Sequence, residues 1–275
     1  MTDFKKRLEV LRAKIVDFRY DALRKSNEYK DKAESKKAVK SVVNSVFPEG
    51  ITCNYCAKEL NKPSRSGLCD ECYEKLRKND GRICISCGRP FDSETDYCLG
   101  CQNNERYFEF CRSPLVYEGI AKELIHAFKF KNKRYLGKYF VGFMIDTYLD
   151  NPFNIDVVVP VPISKKRYIE RGYNQSEILA KDFASRLNLD YDDSLLVKVK
   201  ETKNQVGLGR RERIENLKDS FSASNEVKGK VVLLIDDVLT TASTVNECSR
   251  ELLKKGAKSV EVITATSVEE KYYMA

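Results

Sequence analysis

Four Cys-x-x-Cys pairs lie between residues 53 and 101 of this 275-residue chain, and they constrain its fold more than any other feature. The intervals between successive pairs are 12, 11 and 10 residues. Each pair can turn two sulfurs toward one ion, and two such turns complete a tetrahedral site with four sulfur ligands. The array therefore predicts two structural Zn²⁺ ions, bound by Cys53, Cys56, Cys69, Cys72, Cys84, Cys87, Cys98 and Cys101.

The spacing leaves the assignment of these pairs open. In sequential order, the first four cysteines bind one ion and the last four bind the other, but an interleaved cross-brace has the same spacing. Iron–sulfur ligation is the alternative to zinc. A stretch with short polar loops and few apolar residues cannot fold by burial alone and needs bound metal to stabilise it. Residues 49–103 are therefore predicted to form a double zinc ribbon.

Cysteine usage also bears on the cellular compartment. Eight of the ten cysteines fall in the pairs, and the charged start MTDFKKRLEV lacks the apolar stretch of a secretory signal. Such usage favours metal binding in a reducing cytoplasm over disulfides. No apolar run has the length of a membrane span, so membrane insertion is not expected. Cys111 and Cys248 lie outside the pattern, and Cys248, inside a helical pattern, is predicted to be a core residue.

Residues 1–48 have a distinct, Lys-rich composition. The first 50 residues hold 13 Lys+Arg and 8 Asp+Glu, which makes 13 minus 8, or +5, of the total net charge of +8. Apolar residues recur there at helical spacing, namely Phe4, Leu8, Leu11, Ile15 and Phe18. This predicts a basic helical extension that packs one stripe against the rest of the chain. The alternative is an arm that binds nucleic acid or a protein partner.

Residues 110–275 alternate short apolar runs with helical patterns. The predicted strands include residues 155–159, 231–235 and 260–264, and the predicted helices include 120–130, 175–187 and 243–255. This alternation predicts an α/β fold with a parallel sheet. His126, the only histidine, lies in the first of these helices and is expected to be an ordinary residue on its face.

One stretch of this region, VVLLIDDVLTTASTVNECS, points to a ligand. Its apolar run, residues 231–235, predicts a buried strand with Asp236 and Asp237 at the C-terminal end, where open α/β sheets bind ligands. A turn of small residues that opens a helix suits a phosphate, and here that turn is Thr240, Thr241, Ala242, Ser243 and Thr244. The carboxylates would repel phosphate, so they suit a diol or a magnesium-bound diol. Together these groups describe a ribose 5-phosphate; a generic capped turn is the alternative.

This stretch resembles the phosphoribosyl diphosphate (PRPP) loop of the type I phosphoribosyltransferases, which usually have Gly where this chain has Ala242. Upstream, DVVVPVPIS at 156–164 precedes Arg167 and the run RGYNQ at 171–175, and a T-x-x-Q-x-x-L-x(4)-R-x-x-N-x(4)-F pattern covers 202–221. Together with the cysteine array, these motifs resemble the ComF family over about residues 42–267. The resemblance implies a type I phosphoribosyltransferase-like domain at 110–275 behind the double zinc ribbon.

The resemblance also implies roles for individual residues. Asp236 and Asp237 would be catalytic, residues 240–244 would bind phosphate, and Arg167 and Arg171 would contact the diphosphate. A basic, mobile lid at 198–213 would contribute Gln205 and Arg213, closing over the ligand or lining a nucleic-acid groove. With Mg²⁺, such an enzyme would displace diphosphate from ribose C1, but no pocket for an acceptor is recognisable.

The family name implies a role in DNA uptake during natural transformation, alongside the competence machinery. The alternative to an enzyme is a non-catalytic module of the same fold that senses PRPP or binds single-stranded DNA. Aromatic side chains near basic ones are candidates for base stacking, although packing is their usual role; they are Tyr73, Tyr97, Tyr107 and Phe108, with Arg106 nearby.

Overall fold

The computed structural model describes residues 52–62, 64–201 and 217–270. The predicted helical extension at 1–48 lies outside these residues, as do Gln205, Arg213 and most of the predicted lid. Thr52 and residues 59–62 belong to a separate unit, and the other described residues form one compact unit. That unit contains all eight cysteines of the array.

A five-stranded parallel sheet lies at the centre of this unit. In chain order the strands are β1 Cys111–Arg112, β2 Leu115–Val116, β3 Val157–Pro160, β4 Leu196–Lys198, β5 Phe221–Ala223, β6 Val231–Leu239 and β7 Ser259–Ser267. The spatial order is β1–β7–β6–β3, β2 extends the pairing along β7, and β4 and β5 form a separate antiparallel pair. The near-continuous burial of β6 and β7 is typical of strands covered on both faces. The predicted parallel α/β sheet is confirmed.

Helices connect the strands. They are α1 Asp70–Glu74, α2 Leu99–Gln102, α3 Gly119–Phe130, α4 Gly137–Asp150, α5 Lys165–Arg171, α6 Gln175–Leu187 and α7 Ser243–Lys254, with 3₁₀ turns at Arg134–Leu136 and Asn225–Val227. Each long helix buries an apolar stripe; α6, for example, buries Leu179 and Phe183 and packs against β3, β6 and α4. No helix in the described ranges has both the length and the apolar character that crossing a membrane requires.

Strand β6 is longer than the sequence predicts. The apolar run ends at Ile235, but pairing with β7 continues through Asp236, opposite Thr264, to Leu239, opposite Ser267. Aspartate is depleted in strands, so a prediction from local propensity ends this strand too early. The two Asp side chains therefore lie within β6, and the ladder holds their backbone.

The second half of the ribbon shares a core with the sheet. Cys84, Cys87 and Cys98 belong to the same buried cluster as residues of β3, β6, β7 and α7. Gly88 permits this close approach: it has φ +65°, and a Cβ there would lie 2.1 Å from the Cys111 carbonyl oxygen. Sulfur ligands and sheet residues thus pack as one body.

Candidate functional site

The cysteines of the array form two groups in sequential order, 53/56/69/72 and 84/87/98/101, which we call the first and second tetrads. Within each tetrad the four sulfurs lie within 4.8 Å of one another. Cys56 Sγ is 3.7 Å from Cys69 Sγ, and Cys87 Sγ is 3.6 Å from Cys98 Sγ. Tetrahedral zinc with bonds of about 2.3 Å separates its sulfurs by roughly 3.8 Å, so both tetrads fit zinc. The structure has the sequential assignment and not the interleaved one.

Asp236 and Asp237 are neighbours in β6 with different partners. Asp236 Oδ1 accepts hydrogen bonds from Ser176 Oγ at 2.7 Å and from the Asp237 N–H at 2.9 Å. Asp237 Oδ1 forms a 2.9 Å ion pair with Lys129 Nζ, and both side chains are largely buried. The acidic pair is therefore held by α6 on one side and by the end of α3 on the other.

The environment of Asp236 favours its neutral form. Burial raises the pKa of Asp236 to about 7, and the Asp237 carboxylate adds to the increase. The hydrogen bond from Ser176 and the charge of Lys129 oppose it. Part of the residue nevertheless remains accessible. A carboxyl group that ionises close to neutral pH can lose its proton when a hydroxyl group or a cation comes near. A hydrogen bond from the hydroxyl group and the positive charge of the cation both stabilise the carboxylate.

The RGYNQ run at 171–175 fastens the loop after β3 to the site. Tyr173 donates its hydroxyl hydrogen bond to the Phe128 carbonyl in α3. Asn174 Nδ2 donates to the Val161 carbonyl at 3.0 Å, and its Oδ1 caps α6 by accepting from the Ser176 N–H at 3.1 Å. An N-cap of this kind contributes about 1 kcal/mol. The run thereby positions the serine that contacts Asp236.

The candidate phosphate loop contains a strained residue. Ala242 has φ +62° and ψ 4° and is the N-cap of α7. A residue with a Cβ loses about 1 kcal/mol or more of stability in the left-handed region. This position does adopt a positive φ, so Ala242 bears that cost. Thr241 Oγ1 and Ser243 Oγ lie 2.9 Å apart beside it. Because alanine offers no side-chain acceptor, α7 begins without the usual polar cap and its first turn suits an external anion.

Basic side chains gather near the acidic pair. Burial lowers the pKa of Arg167, the charge of Arg171 lowers it further, and Asp237 opposes the decrease. Burial also lowers the pKa of Lys198 to about 8, with a further contribution from Arg167. Arg171 donates to Gln175 Oε1 at 2.9 Å, and its guanidinium lies 5.1 Å from the centre of the Phe130 ring. Positive charges this close together repel one another, so a polyanionic ligand that binds between them would be stabilised.

Sequence reasoning assigned no role to two residues of this site. These are Lys129 and Ser176, although Ser176 directly follows the RGYNQ run. Both contacts join residues far apart in the chain, so they appear only in the fold. The nearest sequence signal is position: Lys129 lies in the last turn of α3 and Ser176 in the first turn of α6.

The four aromatic candidates for base stacking do not form one surface. Phe108 is buried in the core, Tyr97 is exposed, and Tyr73 stacks on Phe143 with 6.2 Å between ring centres. Tyr107 donates its hydroxyl hydrogen bond to Glu105. Two other predictions are confirmed: His126 is an exposed helix-face residue and Cys248 is fully buried in the core.

Family models match two parts of the chain. A double zinc ribbon domain matches residues 42–102, and a phosphoribosyl transferase domain matches residues 169–274. The second match contains the acidic pair and the candidate phosphate loop. The two matches agree with the order of the tetrads and the sheet along the chain.

Several curated proteins match most of the chain. Competence protein ComFC of Bacillus subtilis is 31% identical over 232 residues, which are 80% of this chain and 91% of that protein. Competence protein F of Haemophilus influenzae is 28% identical over 218 residues, 76% of this chain and 94% of the relative. The DNA utilization protein YhgH of Salmonella typhi is 30% identical over 207 residues, 72% and 89% of the two chains.

Solved structures give a weaker match. A glutamine PRPP amidotransferase from Bacillus subtilis, complexed with ADP and GMP, is 20% identical with a TM-score of 0.32. The match covers 46% of this chain and a quarter (25%) of that one.

Proposed function

This chain belongs to the ComF family, with a double zinc ribbon and a phosphoribosyltransferase domain, and from that premise we propose that it binds PRPP together with Mg²⁺. The observation that carries the proposal is the juxtaposition, around the end of β6, of the carboxyl groups of Asp236 and Asp237 with basic side chains. Lys129 forms a 2.9 Å ion pair with Asp237, and Arg167 lies close enough to Asp237 for the two charges to interact. PRPP has this distribution of chemistry, since its diol separates a 5-phosphate from a diphosphate.

Each part of PRPP has a candidate partner. The 5-phosphate is assigned to residues 240–244, where the start of α7 and its hydroxyl groups favour an anion. The ribose diol is assigned to Asp236 and Asp237, whose carboxyl groups accept hydroxyl hydrogen bonds. The diphosphate is assigned to Arg167 and Arg171, because guanidinium groups donate paired hydrogen bonds to phosphate oxygens.

The same assignments describe a transferase reaction. An acceptor nucleophile would form a bond to ribose C1 while the bond from C1 to the diphosphate oxygen breaks, and the electron pair leaves with the diphosphate. Arg167, Arg171 and Lys198 would stabilise the charge that develops on this leaving group. Magnesium bound with the diol and diphosphate would supply further neutralisation of that charge. The chain would contribute mainly orientation and electrostatics.

The names of the relatives connect this site to DNA. Two are competence proteins and another is a DNA utilization protein. We infer that PRPP binding by this chain serves DNA uptake in natural transformation, with the competence machinery, in the cytoplasm. A module that senses PRPP without turnover uses the same contacts, and product release distinguishes it from a transferase.

Calorimetric titration of the full chain with PRPP and Mg²⁺ tests the proposal. We expect saturable binding and a raised melting temperature, and we expect the double variant Asp236→Asn, Asp237→Asn to lose both. Asp193→Asn, an exposed carboxylate in the loop between α6 and β4, is the matched control and should bind as the wild type does. Absence of binding by the wild type would refute the proposal. A parallel assay for diphosphate release separates turnover from sensing.

A further inference from the structure

Arg89 connects the second tetrad to the candidate phosphate loop. It follows the third Cys-x-x-Cys pair and is almost fully buried, with 3% of its surface exposed. Its Nε–H donates to Cys87 Sγ at 3.3 Å, and its Nη2 donates to the carbonyl oxygen of Thr240 at 2.5 Å. One side chain thus contacts both a predicted metal ligand and the residue that immediately precedes Thr241.

A buried guanidinium needs anionic partners, because removing a charge from water is costly unless it is paired. Four thiolates around one Zn²⁺ carry a net charge of about −2. The fit of the second tetrad to zinc therefore explains how Arg89 is tolerated in the core. Hydrogen bonds that involve charged groups are also stronger than neutral ones, which favours one fixed orientation of this side chain.

The contact with Thr240 constrains the next peptide group. In a trans peptide the carbonyl and the following N–H point in opposite directions within one plane, and the described residues contain no cis peptide. Holding the Thr240 carbonyl toward the ribbon therefore directs the Thr241 N–H away from it. Helix α7, which follows the loop, is also attached to the chain after the ribbon, because Asn246 Oδ1 accepts the Tyr107 N–H at 2.9 Å.

The strain at Ala242 makes such support necessary. A residue with a Cβ remains in the left-handed region only where the surrounding structure holds it there. Ala242 and Val245 pack in the same buried cluster as Cys87 and Cys98, whereas the cysteines of the first tetrad are not members of that cluster. The buried cluster that supports this loop therefore contains cysteines of the second tetrad and none of the first.

We propose that Arg89 is a positioning residue that ties the phosphate loop to the second metal centre, so that loop order and PRPP affinity depend on its double contact. This inference rests on the proposed function for its ligand, but the order of the loop can be measured without any ligand.

Arg106 provides a matched control. Its Nε–H donates to Cys101 Sγ at 3.4 Å and its Nη2 donates to the Gly100 carbonyl at 3.1 Å. It therefore contacts a sulfur of the same tetrad, but these partners lie within the ribbon. Loss of a guanidinium–thiolate contact is common to Arg89→Met and Arg106→Met, and loss of the contact with the loop is specific to the first.

The experiment measures amide hydrogen exchange across residues 240–246 and the Kd for PRPP with Mg²⁺ in zinc-loaded full-length chains. For Arg89→Met we expect at least tenfold faster exchange in the loop and at least tenfold weaker binding, with the zinc content retained. Arg106→Met should resemble the wild type in both. Arg89→Lys keeps the charge but lacks the fork that reaches two partners, so exchange should still be faster than in the wild type.

Two results would overturn the proposal. One is wild-type exchange and affinity in Arg89→Met; the other is an equal loss in Arg106→Met, which would indicate general loosening of the ribbon. If Arg89→Met fails to fold, exchange in Arg89→Lys decides the question. If the wild type binds no PRPP, the proposed function fails, and the exchange comparison still tests the positioning role.

Discussion

At the scale of single residues, Asp236 shows how a buried carboxyl group couples the site to pH. The folded chain raises its pKa to about 7, through burial and the charge of Asp237. The folded state therefore binds this proton more tightly than the unfolded state. The resulting stability is fully present below about pH 4, the usual pKa of an aspartate, and is lost as the pH rises through about 7.

Asp236→Asn should remove this dependence. Asparagine keeps an oxygen that can accept from Ser176 and from the Asp237 N–H, but it cannot ionise. We expect the free energy of unfolding at pH 8 to rise by up to about 4 kcal/mol relative to the wild type, and by a smaller amount, about 1–2 kcal/mol, at pH 5. Urea denaturation between pH 5 and 8 measures the change, with Asp193→Asn as the exposed control. A variant that is less stable than the wild type at pH 8 would contradict the assignment.

At the scale of elements, the junction between β6 and α7 combines a long strand, a short turn and a helix that starts without a polar cap. Its backbone departs from what alanine prefers, since Ala242 has a positive φ. Strain at a ligand loop is commonly retained for function. The junction is also where this chain has alanine in place of the glycine usual in the type I phosphoribosyltransferase loops that it resembles, so it is the element to modify.

Ala242→Gly should change ligand affinity more than stability. Relief of the left-handed strain is worth about 1–2 kcal/mol, whereas loss of the buried methyl costs about 0.8 kcal/mol and the freer unfolded chain about 0.5–1 kcal/mol. These terms nearly cancel. Because glycine adopts the left-handed conformation without strain, the loop can hold its phosphate-binding geometry at lower cost, so we expect severalfold tighter PRPP binding by calorimetry.

Ala184→Gly is the control for this substitution. Ala184 is equally buried, at 1% exposed, but it lies inside α6, where glycine relieves no strain. It should lower stability by about 1–2 kcal/mol through helix propensity and the lost methyl group. If Ala242→Gly is destabilised as much as Ala184→Gly, or binds PRPP more weakly than the wild type, the strain argument is wrong.

At the scale of the whole molecule, the two tetrads differ in how they join the rest of the chain. The second contributes three fully buried cysteines to the core that also holds β6 and α7. The first includes Cys56, which is exposed. Both stabilise stretches too small to fold by burial alone, but only the second belongs to the core under the candidate ligand site.

This difference predicts two kinetic phases of metal release. Elemental analysis should find two zinc ions per chain, and a chromogenic chelator should remove the ion of the first tetrad faster, because the chelator can reach its exposed ligand. Cys69→Ser should hold one ion and lack the fast phase. One ion or none in the wild type would refute the double ribbon, and loss of the slow phase in Cys69→Ser would reverse the assignment.

The sequence by itself determined the features that depend on local spacing and composition. The Cys-x-x-Cys pairs predicted the tetrads, alternating apolar patterns predicted the parallel sheet, and motifs of small and acidic residues predicted where a ribose phosphate would bind. The first two inferences are confirmed, because turn geometry and periodicity are set by near neighbours. The third, which rests on where parallel strands end, stays a prediction.

The tertiary structure alone decided which cysteines group together, that Asp236 and Asp237 lie inside β6, and that Lys129 and Ser176 hold them. It also placed Arg89 between the Cys87 sulfur and the carbonyl of Thr240, which lies 151 positions after Arg89 in the chain. No local pattern encodes such contacts, because they join residues that are far apart in the sequence. The burial of Asp236, its pKa and the pairing of its neighbours' charges all depend on which distant residues the fold places beside it.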